Sequence, residues 1–226
     1  LKAADVILYD ALVNEELLEY ATTSEIIFVG KRFGCHAYSQ DQINELIVVM
    51  AKRFGHVVRL KGGDPMIFGR GAEEIRFCQK HGLNYEVIPG ITAAMAASSE
   101  FDIPLTERNN SSMVLMHTCT RVDGKFNHLT SVIEVLNTGS TISVYMGLKN
   151  LSDFADALID AGLPTETPVN ILSKVSHPEH EALYGNLANI NYLLAKAKPP
   201  TPAIILIGKY AKKICSENQN KNQKTY

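Results

Sequence analysis

The residues whose types could do chemistry gather where the glycines do. In RLKGGDPMIFGRGAEE, residues 59–74, a short apolar strand runs into Gly62, Gly63, Asp64 and a proline, then into Gly69, Arg70 and Gly71 before a helix. Adjacent glycines permit φ values and backbone approach that a Cβ forbids, and Asp64 can accept hydrogen bonds from ribose hydroxyls or an amino group. The same residue types also dominate tight turns, so GGDP alone is equally a turn. A second stretch, VIPGITAAMAASSEFDIPLT, ends a strand in Pro-Gly and opens a helix of small residues. Its first turn, with Thr92 and Ala93, offers unpaired N–H groups and a hydroxyl to a ligand, or else close packing of a helix on its neighbour. Asp10 and Lys31 stand just past the apolar runs DVILY and IIFVG. They are either solvated loop charges or, if both face one cleft, an acid–base pair. Lys31, Arg32, Arg59, Lys61 and Arg70 could meet a carboxylate-rich substrate.

Residues so placed need strands that end beside one another. DVILYD, IIFVG, HVVRL, EVIPG, SMVLM, TISVYMG, PVNIL and AIILIGKY are short, β-branched and apolar throughout, as expected of strands covered on both faces. Helical patterns lie between several of them. SQDQINELIVVMAKRFG has Ser39 as cap, Ile43, Leu46, Ile47 and Met50 on one face, and Gly55 as stop. AEEIRFCQKHG, NLSDFADALIDAG and NLANINYLLAKAK read as further helices. The alternation predicts an α/β fold built from βαβ units. The polar stretch ERNNSS, residues 107–112, predicts a boundary between a first α/β domain at 1–109 and a second at 110–214. Residues 215–226, SENQNKNQKTY with its preceding cysteine, are apolar-poor and are expected to form an unstructured tail.

The chain has 226 residues, 46% hydrophobic and 20% charged, with a net charge of -2. That supports a real core and gives no basic field for nucleic acid. Cys35, Cys78, Cys119 and Cys215 lie far apart, and the seven histidines lack H-x-x-H or H-E-x-x-H spacing, so neither a metal site nor a disulfide framework is expected. No run is long enough to span a bilayer, no nucleophile signature such as G-x-S-x-G occurs, and a reducing cytoplasm is the simplest setting.

Taken together, ADVILYDALV, VGKRFGCHAYSQDQIN, RLKGGDPMIFGRGAEE, VIPGITAAMAA, IPLT and VYMGL resemble the uroporphyrinogen-III C-methyltransferases of the tetrapyrrole methylase family, from the first residue to about Ile214. The resemblance implies two α/β domains with S-adenosylmethionine in the cleft between them, and a homodimer. It implies methyl transfer to C2 and C7 of uroporphyrinogen III, giving precorrin-2 on the sirohaem and cobalamin route. Gly62, Gly63, Asp64, Ile67, Thr92 and Ala93 correspond to cofactor-binding positions of the first domain, and Met146 to one of the second. Asp10 corresponds to the family's proposed proton acceptor and Lys31 to its proposed donor. Arg70, in GRG, is the candidate for a substrate carboxylate, and no metal is implied.

Three departures stand out. Relatives begin with a strand and a G-x-GPGDPELLT segment ahead of the first helix, whereas LKAADV corresponds to the inside of that helix, so the first strand is expected to be missing. Where relatives carry T-G-H, this chain has VLMHTCT, which displaces His117 and loses the glycine. In the second-domain turn near the cofactor, LSKVSHP places Val175 where a glycine is expected. These departures keep open a non-catalytic cofactor- or tetrapyrrole-binding homologue, or a methylase of a different tetrapyrrole.

Overall fold

The computed structural model describes residues 1–30 and 38–214, and the chain divides into two compact units, Leu1–Thr92 and a second that begins at Ala93. VILY is apolar at every position because strand β1 (Val6–Tyr9) runs down the middle of a parallel three-stranded sheet. Its neighbours are β2 (Glu25–Phe28) on one side and β3 (Val57–Leu60) on the other. Val6 and Leu8 turn to one face, where Ile43, Ile47 and Cys78 cover them, while Ile7 and Tyr9 turn to the other beside Ala4 and Val13. Helix α1 (Gln40–Phe54) starts on the expected cap. Ser39 accepts the Gln42 N–H at 3.2 Å, and the Gln42 side chain accepts the Ser39 N–H at 2.8 Å. Helix α2 (Gly71–Lys80) follows β3 through the GGDP loop.

One expected strand of this unit does not form. Residues 83–92, which contain EVIPG, carry no regular structure, and among the described residues no backbone group of residues 84–89 is hydrogen-bonded. A strand exists only against a partner edge, and no described strand lies beside this run. The outer edge of β3 likewise has no strand beside it among the described residues. Residues 57–61 and 84–90 both line a cavity of about 910 Å³, with Ile47, Ile75 and Leu83 also in its wall.

The second unit opens with α3 (Ala93–Glu100) and carries a mixed five-stranded sheet of order β4-β7-β10-β8-β9. Its strands are β4 (Val114–Thr118), β7 (Thr141–Tyr145), β8 (Pro168–Ser173), β9 (Glu181–Asn186) and β10 (Ala203–Ile207). A small hairpin, β5 (Arg121–Val122) and β6 (Lys125–Phe126), stands apart from that sheet. β4 and β7 are parallel, while β10 runs antiparallel to both β7 and β8. The helices are α4 (Leu129–Asn137), α5 (Leu151–Asp160) and α6 (Ile190–Ala197). AIILI is apolar throughout because Ile205 and Ile207 face Val132, Phe154 and Leu158, whereas Ile204 and Leu206 face α3.

α3 explains why the division falls after Thr92 and not near residue 109. Ala94 and Ala97 are fully buried against Ile204 and Leu206, and Phe101 and Ile103 join the same cluster, so the small-residue helix and IPLT pack with the second unit. Lacking large side chains, the helix comes close to the sheet face. β9, the hairpin and α4 are elements that the sequence reading passed over.

Candidate functional site

In the first unit the GGDP and PGIT loops pack backbone against backbone. A Cβ on Gly62 would lie 2.4 Å from the Leu12 carbonyl oxygen, and one on Gly90 would lie 2.2 Å from that of Gly63, so only glycine fits either place. Asp64 ties the two loops together: Oδ1 accepts the Met66 N–H at 2.8 Å and Oδ2 accepts the Gly90 N–H at 3.0 Å. Its carboxylate therefore organises the loops, with lone pairs left over for a ligand. Gly63 is exposed at φ 75°, and a Cβ there would meet nothing nearer than 3.7 Å, so the protein leaves the space over that peptide open. Ile67 is half-buried in the same loop, and Thr92 is buried at the end of PGIT.

Behind this loop lies a chain of alternating charges. Asp10 accepts the Leu12 N–H at 3.1 Å through Oδ1 and meets the Arg59 guanidinium at 3.1 Å through Oδ2. Arg59 also donates to the Leu8 and Leu60 carbonyls and reaches Glu74 at 3.3 Å. Glu74, buried on α2, takes Lys61 at 3.1 Å and the Gln40 amide at 3.1 Å. Burial pulls the Lys61 pKa below its ordinary value, and the neighbouring Arg59 charge adds to this, while Glu74 opposes both. By residue type alone Arg59 and Lys61 are only available cations, and Glu74 does not stand out. The signal was present: Arg59 and Lys61 are two apart and so share one face of the chain, and the face they share must carry an acid if it is covered.

Arg70 is placed differently. It adopts a left-handed conformation at φ 59° just before α2, and its exposed guanidinium grips Glu73 at 2.8 and 2.6 Å. That hydrogen bond to Glu73 raises the Arg70 pKa and lowers that of Glu73. Lys31 lies outside the described residues.

The second unit gathers its own set at the ends of two co-oriented strands. Met146 follows β7 in a left-handed conformation at φ 52° and is 63% exposed. Val175 follows β8, and its half-buried side chain packs into the cluster under α3, together with Tyr145. Tyr145 accepts the Ala94 N–H through its hydroxyl at 3.3 Å, which fastens the first turn of α3 to the end of β7 and leaves Ala93 exposed beside it. The valine that replaces an expected glycine thus points into the core. His117 is buried against Phe154, with Nε2 at 3.0 Å from the Asn127 carbonyl, and holds the turn after the hairpin. Among the described residues no group of His, Cys, Asp and Glu side chains is arranged to hold a metal, and no helix is long and apolar enough to cross a membrane.

Both α/β units offer open backbone and small residues at strand ends, the kind of surface on which α/β proteins seat small molecules. The chain belongs to the tetrapyrrole (corrin/porphyrin) methylases, whose family model matches residues 1–191. It is 43% identical to a sirohaem synthase of Psychrobacter cryohalolentis, across 97% of this chain and 44% of that protein. It is 38% identical to the chloroplastic S-adenosyl-L-methionine-dependent uroporphyrinogen III methyltransferase of Arabidopsis thaliana, across 92% of this chain and 57% of that one. The chain therefore spans about half the length of these curated relatives. Among solved structures, a Thermus thermophilus uroporphyrin-III C-methyl transferase complexed with S-adenyl homocysteine superposes with a TM-score of 0.77 at 32% identity, over 93% of this chain and 88% of that one. A cobalt precorrin-4 methyltransferase, at 21% identity and a TM-score of 0.80, shares the fold.

Proposed function

We propose that this chain transfers methyl groups from S-adenosylmethionine to C2 and C7 of uroporphyrinogen III, giving precorrin-2. The observation that carries the reading is the loop pair joined by Asp64, with its open peptide at Gly63, in a chain that matches uroporphyrinogen methyltransferases over more than nine-tenths of its length. The residues present fit a nucleoside donor. The loops offer close backbone approach, the buried Thr92 ends the second loop, and the exposed Ala93 opens a helix of small residues.

When bound, the donor supplies an electrophilic methyl group on positive sulfur. The protein's share is positioning. Gly62, Gly63, Asp64, Ile67, Thr92, Ala93, Met146 and Val175 are the residues assigned to the donor. Asp10 takes up the proton released as the macrocycle rearranges, and Arg59 keeps that carboxylate oriented. Lys31 is the proton donor. Arg70 leaves Glu73 to meet a substrate carboxylate, an exchange of one carboxylate partner for another that costs little at the surface. A cytoplasmic homodimer is part of this reading.

Purified protein incubated with methyl-labelled S-adenosylmethionine and freshly reduced uroporphyrinogen III is expected to give a doubly methylated product. Absence of label in the tetrapyrrole overturns the proposal.

A further inference from the structure

After β8 ends at Ser173, the chain turns through two left-handed residues that are not glycine, Lys174 at φ 50° and Ser176 at φ 66°. Such conformations persist only where the surroundings hold them. Here the holder is Glu100, the last residue of α3. Its Oε2 accepts the Ser176 N–H at 2.7 Å, and its Oε1 lies 2.8 Å from His180 Nδ1. That oxygen is buried and receives no well-aligned hydrogen bond, so the imidazole is a close neighbour of the carboxylate and not a donor to it. The same Nδ1 lies 3.0 Å from the His177 carbonyl, and the ring stands edge-on to Phe101 at 5.4 Å. Lys174 Nζ meets Glu179 at 2.6 Å and closes the turn on its solvent side.

Between these attachments sits Val175. Its side chain is taken up by the cluster under α3, yet its own N–H and carbonyl make no hydrogen bond among the described residues. The residues around it are fastened and its peptide groups are left open. A glycine at this position would have had no side chain to anchor; the valine anchors from one side and the Glu100 carboxylate from the other.

We propose that Glu100 is a positioning residue, whose carboxylate clasps residues 174–180 to the end of α3 and so presents the Val175 backbone to the methyl donor. This rests on the reading that Val175 contacts that donor. Glu100 itself touches neither donor nor substrate.

The test uses the whole chain and its Glu100→Ala and Glu100→Gln variants. Three quantities are read: amide exchange across residues 174–180, the dissociation constant for S-adenosylhomocysteine, and kcat and KM for S-adenosylmethionine. Glu100→Ala is expected to speed exchange in that segment and to raise both the dissociation constant and KM by about tenfold, the scale of a lost hydrogen bond to a charged group, with kcat unchanged. Glu100→Gln keeps an acceptor for the Ser176 N–H and should recover most of the loss, which also covers the case in which the alanine variant does not fold. Unchanged exchange would show that there is no clasp. Faster exchange with unchanged affinity would reduce Glu100 to a structural role and overturn the proposal. Wild-type protein that fails to bind S-adenosylhomocysteine overturns the functional reading, and this inference with it, before any variant is made.

Discussion

The two units meet the same requirement, a fixed surface at strand ends, by different means. In the first unit the surface is backbone on backbone, with Gly62 and Gly90 filling places that have no room for a Cβ, and with Asp64 and the Asp10–Arg59–Glu74–Lys61 chain supplying the rigidity. In the second it is side chains packed under small residues, with Ala94, Ala97, Tyr145 and Val175 around one apolar cluster. The two surfaces absorb substitutions unequally. A backbone contact has no atoms to spare, whereas a side chain can turn from the site to the core. Val175 is an example, its side chain taken up by the cluster under α3.

The contrast breaks most visibly at Asp10 in the first unit. Asp10→Ala is expected to lower turnover by about 10² to 10⁴-fold, the usual worth of a positioned acid or base, with S-adenosylhomocysteine affinity within about threefold of wild type. Turnover assays beside calorimetry check this, and collapse of binding instead would make Asp10 a structural partner of Arg59. Next comes Gly90→Ala, which drives a Cβ into the Gly63 carbonyl. Separating the loops should cost about 1–3 kcal/mol, seen as a lower denaturation midpoint, and weaken S-adenosylhomocysteine by about tenfold or more. Asp64→Ala leaves the Met66 and Gly90 N–H groups without their charged acceptor and should weaken binding by about tenfold, with kcat on saturation closer to wild type. A variant that loses kcat and keeps affinity would reverse the roles assigned to Asp10 and Asp64.

Smaller effects sharpen the contrast. The folded protein holds the Lys61 proton less tightly than the unfolded chain, whose value is 10.5. Between the lowered pKa and 10.5 the unfolded state thus binds more protons, and stability gains from Lys61 as pH rises through that window. Thermal denaturation across alkaline pH should show this slope in wild type and a shallower one in Lys61→Met. The smallest effect belongs to the second unit: Val175→Gly should alter S-adenosylhomocysteine affinity by no more than about threefold, because the Glu100 carboxylate still holds the segment when the valine's core anchor is lost. A large gain in affinity would mean that the valine side chain does enter the ligand's place.

What could be read from the residues alone followed local rules. Apolar runs such as VILY and AIILI announce strands covered on both faces, Ser39 with Gln42 announces the start of α1, and glycines at 62 and 63 announce a loop that large residues cannot make. These depend on neighbours within a turn or a strand, which the order of residues specifies directly. EVIPG shows the limit: its β-branched residues are suited to a strand, but pairing needs an edge, and no described strand lies against it. β9 was passed over for the opposite reason, since EALYGN is a half-exposed edge strand that pairs with β8 yet carries a weak apolar pattern.

The class of fold, the glycine-rich loops and the family to which they belong are legible in the order of residues, because they reside in short contiguous stretches. It takes the packed molecule to show that Asp64 holds two loops together, that Glu74 gathers Arg59 and Lys61, that α3 packs with the second unit, and that Val175 faces the core. The joins run from 13 positions, as in Lys61 to Glu74, to most of the second unit's length, as in Ala94 to Ile204. Partners so distant are chosen by how sheets and helices stack, and burial then makes every charge and every N–H among them find a partner or pay in stability.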